Sequence, residues 1–98
     1  MAVGTFYFGY VENPGAWTLH EGSGPRSFTA PVGFGDTRFS NPPTVVCALS
    51  GVDAGNQANL RVTLVPVDVT ADGFTLQVNV WADTVLYSVW GMWHAELA

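Results

Sequence analysis

Lysine is absent from this chain, and only three arginines, Arg26, Arg38 and Arg61, face eight carboxylates, for a formal net charge of −5. Phosphate backbones are bound through neutralisation by Lys and Arg, so this shortage argues against a nucleic-acid partner. It argues equally against docking on an anionic membrane surface. No apolar stretch approaches the roughly 18 residues of a membrane span, and no membrane insertion is expected. Cysteine is nearly missing too: Cys47 stands alone, so no intrachain disulfide can form. Its setting, Thr44-Val45-Val46-Cys47-Ala48-Leu49, suits a small core hydrophobe, with an interchain bridge as the sharper alternative. The first residues, Met1 to Phe6, carry neither a basic n-region nor an apolar h-region, so no secretory signal is expected.

What is present is apolar. Hydrophobic residues make up 48% and charged residues 11% of 98 residues, a length that fits a single domain, 1–98. A domain this short buries only about 60–65% of its unfolded surface. The apolar surplus therefore points both to an unusually apolar interior and to surface covered by another subunit. An isolated monomer is not expected to be stable at working concentration.

Helical periodicity is also lacking, and Gly, Pro, Asn and Asp break the chain at the spacing of an all-β sandwich. The reading is six antiparallel strands joined by hairpins. The six main strands are expected over Thr5–Val11, Arg26–Phe34, Thr44–Val52, Leu60–Val69, Phe74–Trp81 and Leu86–Leu97, with Trp17–His20 as a further short one. Thr44–Val52 is so continuously apolar that burial on both faces is expected. Pro31 and Pro66 point to edge positions or, for Pro66, a bulge. In Leu60–Val69, Leu60, Val62 and Leu64 fall inward, and Arg61, Thr63 and Val65 outward. Phe74, Leu76, Val78 and Val80 alternate with the outward Thr75, Gln77, Asn79 and Trp81. Asp72-Gly73 reads as a hairpin turn.

No constellation for catalysis emerges. Cys47 has no basic or His neighbour to activate it. His20 and His94 are isolated, so no metal site is expected, and no cofactor either. Asp53, Asp68, Asp72 and Asp83 fall at expected turns, where Asp serves the backbone. There remain outward aromatics. Trp81 needs a cover or a ligand, the two readings standing nearly even, whereas Trp90 fits better between subunits. A flat ring beside a few fixed polar groups is what a sugar site requires.

Phe39-Ser40-Asn41-Pro42-Pro43-Thr44-Val45, Leu49-Ser50-Gly51-Val52-Asp53 and Asn59-Leu60-Arg61-Val62 follow in order. Val69-Thr70-Ala71-Asp72-Gly73-Phe74, Trp81-Ala82-Asp83-Thr84, Leu86-Tyr87-Ser88 and Met92-Trp93-His94-Ala95 come next. In order and spacing this set resembles the H-type lectin family, which includes snail agglutinins and the C-terminal domain of discoidins. The likeness is strongest over 34–97. It implies a six-stranded antiparallel β-sandwich assembling as a homotrimer or a dimer of trimers. It also implies metal-free binding of glycans ending in N-acetylgalactosamine or galactose, with a role in agglutination or cell adhesion. The family's sugar-contacting Arg, stacking Trp and Tyr fall on Arg61, Trp81 and Tyr87. Asp83 is added as the neighbouring carboxylate, and Glu21, Ser23 and Gly24 are nominated for the loop that completes the site. By alternation Arg61 and Trp81 both face outward, whereas Tyr87 shares the parity of the core. Ala82 stands where a His follows the stacking Trp in a better-known member. The expectation of no secretory signal is compatible with cytoplasmic synthesis and non-classical release. The competing expectation is a non-catalytic oligomerisation module of a larger assembly.

Overall fold

Strict alternation of apolar and polar side chains builds a strand with one wet and one dry face. In the computed structural model, which describes residues 1–98, this rule organises both sheets. The strands are β1 (Ala2–Gly9), β2 (Arg26–Gly33), β3 (Thr44–Ala54), β4 (Val62–Val67), β5 (Gly73–Val80) and β6 (Leu86–Glu96). They form two three-stranded antiparallel sheets, ordered β1-β6-β3 and β2-β5-β4. Phe74, Leu76, Val78 and Val80 of β5 all point into the core between them. Phe6, Phe28, Val89 and Trp93 meet them from the other strands. At Gly91 an added Cβ would overlap the Phe6 ring and the Ala48 carbonyl, so only glycine admits that close approach.

Several connections differ from the sequence expectation. Only β4–β5 is a hairpin within one sheet; the other connections cross between sheets, as packing two small sheets requires. In that hairpin the left-handed residue is Asp68, at φ 52°, and not Gly73. Gly73 instead opens β5 where a Cβ would strike the Val32 carbonyl. Trp17–His20 forms no strand. Trp17 and Leu19 are buried all the same, because Trp17 Nε1 donates to the Leu86 carbonyl at 2.9 Å and the Leu86 N–H donates to Leu19 at 3.0 Å. The loop thus closes one end of the sandwich. Leu60, expected inward, lies outside β4 and is exposed. Asp53 belongs to β3 and not to a turn.

β3 is the largest correction. It is an edge strand, and its apolar run is not buried on both faces: Val46 is 59% exposed. An apolar run records that water is to be excluded but not by which surface. Cys47 does turn inward and packs against the core, where burial raises its thiol pKa. Pro31 and Pro66 sit on the edge strands β2 and β4, as their missing N–H demands.

The two outer faces are chemically opposite. Outside β1-β6-β3 lie Val3, Tyr7, Val46, Trp90 and Met92, all exposed, with Tyr7 and Trp90 stacked at 4.7 Å. An open groove runs between Val3, Val46, Ala48, Met92 and His94. Outside β2-β5-β4 the strands present uncharged groups, mostly polar, including Ser27, Thr63, Gln77 and Asn79, with Pro31 and Val65 exposed among them.

Candidate functional site

The β4–β5 register pairs Val62 with Val80 and Thr63 with Asn79. Arg61 precedes β4 and Trp81 follows β5, so both stand just beyond the Val62–Val80 end of this ladder. Neither is sealed: the Trp81 residue is 41% exposed and the Arg61 side chain 36%. Beyond Trp81 the chain turns sharply through Ala82, at φ 58°. That reversal returns Asp83 toward β4, where its Oδ1 accepts Arg61 Nη1 at 2.6 Å. Its Oδ2 accepts the Asn59 N–H at 3.4 Å. This bond takes one guanidinium N–H, and the others make no hydrogen bond within the chain, which leaves donors for a ligand.

Thr84, fully buried, ties the two loops together. Its hydroxyl donates to the Asn59 carbonyl at 2.7 Å and accepts the Arg61 N–H at 2.9 Å. Replacing Thr84 by Val keeps the volume but strands both backbone groups. The expected cost is about 1–3 kcal/mol of stability, read from urea denaturation. Arg61 would lose its backbone anchor at the same time.

The Gly-rich loop 21–25 is held by Arg26. Its Nε donates to the Gly24 carbonyl at 3.0 Å, and Nη1 donates to the Glu21 carbonyl at 2.7 Å. Nη2 reaches the Ala82 carbonyl at 3.2 Å, which also accepts the Gly24 N–H at 2.9 Å. Gly22 and Gly24 adopt φ of 73° and 77°, which lets the loop curl around this one side chain. Gly24 is thereby fastened to the Trp81–Asp83 turn, while Glu21 and Ser23 stay exposed beside it. The Glu21 carboxylate lies 3.4 Å from His20 Nε2.

Tyr87 is not part of the Arg61–Asp83 pair. Its ring packs against Tyr10 at 5.5 Å and His20 at 6.1 Å, behind the 21–25 loop. The simple parity expected for β6 also breaks here. Asp53 pairs with Ser88 but Ala54 with Leu86, so Tyr87 is an extra residue in a bulge. Leu86 and Val89 are consequently both core, although alternation assigns them to opposite faces.

Sequence reasoning missed Arg26, Asn59 and Thr84 as organisers of the site. A lone cation directly after a Gly-rich loop was the available signal for Arg26, since loop carbonyls need donors. Thr84 gave none, because a turn threonine looks the same buried or exposed. Arg26 and Asp83 also define the electrostatics: one cation is consumed by backbone carbonyls, so Arg61 is the cation left to face a ligand here.

Against known proteins, residues 29–95 match the model of the H-type lectin domain. A curated protein of Fuscovulum blasticum, described as ATP synthase subunits region ORF 7, is 32% identical over 79 residues. That match covers 81% of this chain and 65% of the relative, so the chain spans about two-thirds of its length. Among solved structures, recombinant discoidin II of Dictyostelium discoideum superposes with a TM-score of 0.80 at 24% identity. The superposition takes in 96% of this chain and 35% of discoidin II. The wild-type discoidin II structure gives 0.78 at 23% identity, covering 99% of this chain and 37% of that one. At these identities the likeness concerns the fold.

Proposed function

This chain belongs to the H-type lectin domain family, a non-catalytic carbohydrate-binding family, and from that premise we propose that it binds terminal N-acetylgalactosamine or galactose through several sites on a homotrimer. The observation that carries the sugar reading is the exposed indole of Trp81 at the same end of the β4–β5 ladder as a guanidinium hydrogen-bonded to Asp83. A pyranose offers an apolar C–H face and a rim of hydroxyls. The indole suits the first, and the free N–H groups of Arg61 suit the second. Gly24, Ser23 and Glu21, fastened to the same turn through Arg26, supply further polar groups at the rim. Tyr87, packed against Tyr10 and His20, stands in this reading beside the 21–25 loop and not at the Arg61–Asp83 pair.

The trimer is supported by the apolar face outside β1-β6-β3, which a lone protomer leaves to water. A single shallow sugar site binds with about −4 to −8 kcal/mol, in the millimolar to micromolar range. Several sites on one assembly raise the avidity without any new contact. The test is a glycan array probed with the full chain. Hits confined to glycans ending in N-acetylgalactosamine or galactose are expected. An empty array from a stable oligomer would instead favour a purely structural module.

A further inference from the structure

We propose that the outer face of the β2-β5-β4 sheet is a second saccharide subsite, taking the sugar that follows the terminal residue of a glycan; this rests on the lectin function above. Ser27, Asn79 and Thr63 share one row across the three strands, and Thr29, Gln77 and Val65 the next. Trp81 continues the outward series of β5 two residues beyond Asn79, roughly 7 Å away at about 3.4 Å per residue. A ligand leaving the Trp81 ring along β5 meets the Asn79 row first.

That row is already organised. Asn79 Oδ1 accepts the Ser27 hydroxyl at 2.6 Å and Gln77 Nε2 at 2.8 Å, while Asn79 Nδ2 donates to Thr63 Oγ1 at 3.2 Å. These bonds fix the carboxamide and still leave its second N–H, the Gln77 carbonyl oxygen and hydroxyl lone pairs unused. Side chains held in advance lose little freedom on binding. No outward position of these strands carries a charge, although both edges of the sheet are open and solvated edges ordinarily bear charged side chains. Neutral donors and acceptors match sugar hydroxyls without the desolvation penalty of an ion. A second copy of the chain finds its apolar complement on the opposite sheet, and a charged peptide finds no counter-ion here.

The experiment is isothermal titration of the full chain with N-acetylgalactosamine and with oligosaccharides ending in it and extended by one or two residues. Asn79→Ala and Thr63→Val are titrated alongside, with thermal unfolding and sedimentation velocity as checks on fold and assembly. The wild type is expected to bind the extended ligands about three- to tenfold more tightly than the monosaccharide, the worth of one or two hydrogen bonds. Asn79→Ala should lose that gain and keep the monosaccharide affinity, and Thr63→Val, nearly isosteric, should lose part of it. Monosaccharide binding with no gain on extension would overturn the subsite and leave the lectin function standing. Equal gains in the wild type and both variants would overturn it as well, as would dissociation of the oligomer by either substitution. Binding of no sugar at all would overturn the function itself, and the subsite with it.

Discussion

Arg61→Ala is expected to weaken binding of N-acetylgalactosamine-type sugars by about 10- to 150-fold, which for so shallow a site means loss of detectable signal on a glycan array. The figure follows from the roughly 1.5–3 kcal/mol of hydrogen bonding through a charged donor, converted at about 1.4 kcal/mol per tenfold. Two properties make Arg61 the side chain with most to lose. Asp83 holds one of its N–H groups at 2.6 Å, so the fork is aimed before the ligand arrives. The other cation near this turn, Arg26, already serves four backbone carbonyls. Arg61→Lys keeps the charge but not the planar fork, and should recover only part of the affinity. Neither change touches the apolar outer face, so the sedimentation coefficient should stay that of the wild type. Unchanged affinity in Arg61→Ala would remove Arg61 from the site.

The second large effect concerns assembly. Met92 is 53% exposed at the middle of the β1-β6-β3 outer face, in the row of Thr5 and Ala48 and next to the row of Val3, His94 and Val46. Met92→Glu would place a carboxylate among apolar side chains at every copy of the contact. An unpaired ion excluded from water costs several kcal/mol, so the dissociation constant of the oligomer should rise by more than about 1000-fold. Sedimentation velocity at low micromolar concentration should then show monomer where the wild type shows trimer. The unfolding temperature should fall as well, because assembly and folding of so small a domain are linked. Binding to an array should collapse with the lost avidity while monovalent affinity persists. A wild type that sediments as a monomer, or a Met92→Glu variant that sediments with it, would defeat the proposed trimer.

Legibility differed sharply along the chain. β5 was readable residue by residue, because each of Phe74, Leu76, Val78 and Val80 has its polar neighbour and both faces have one fate. β3 misled, since Val45, Val46, Cys47 and Leu49 look alike to any hydropathy argument. Only packing separates Cys47, turned to the core, from Val46, left outside. Trp17 and Leu19 were legible as apolar but not as loop, because what buries them is the end of another strand, 69 residues away at Leu86. The bulge at Tyr87 was invisible: a β-bulge depends on the partner strand's register, which no local pattern encodes. The candidate site split along the same line. Arg61 and Trp81 could be placed by alternation, whereas Thr84 and Arg26 act through carbonyls of distant loops.

The sequence by itself determined the all-β class, the core side of the regular strands, the outward side of Arg61 and Trp81, and the family. These depend on periodicity and on the order of short motifs, both local. Only the tertiary structure decided that Asp83 turns back onto Arg61, that Tyr87 is drawn away toward Tyr10 and His20, and that one outer face is apolar while the other is neutral and polar. Those outcomes depend on which strands become neighbours, and two three-stranded sheets joined by crossing loops bring together residues that share no local pattern.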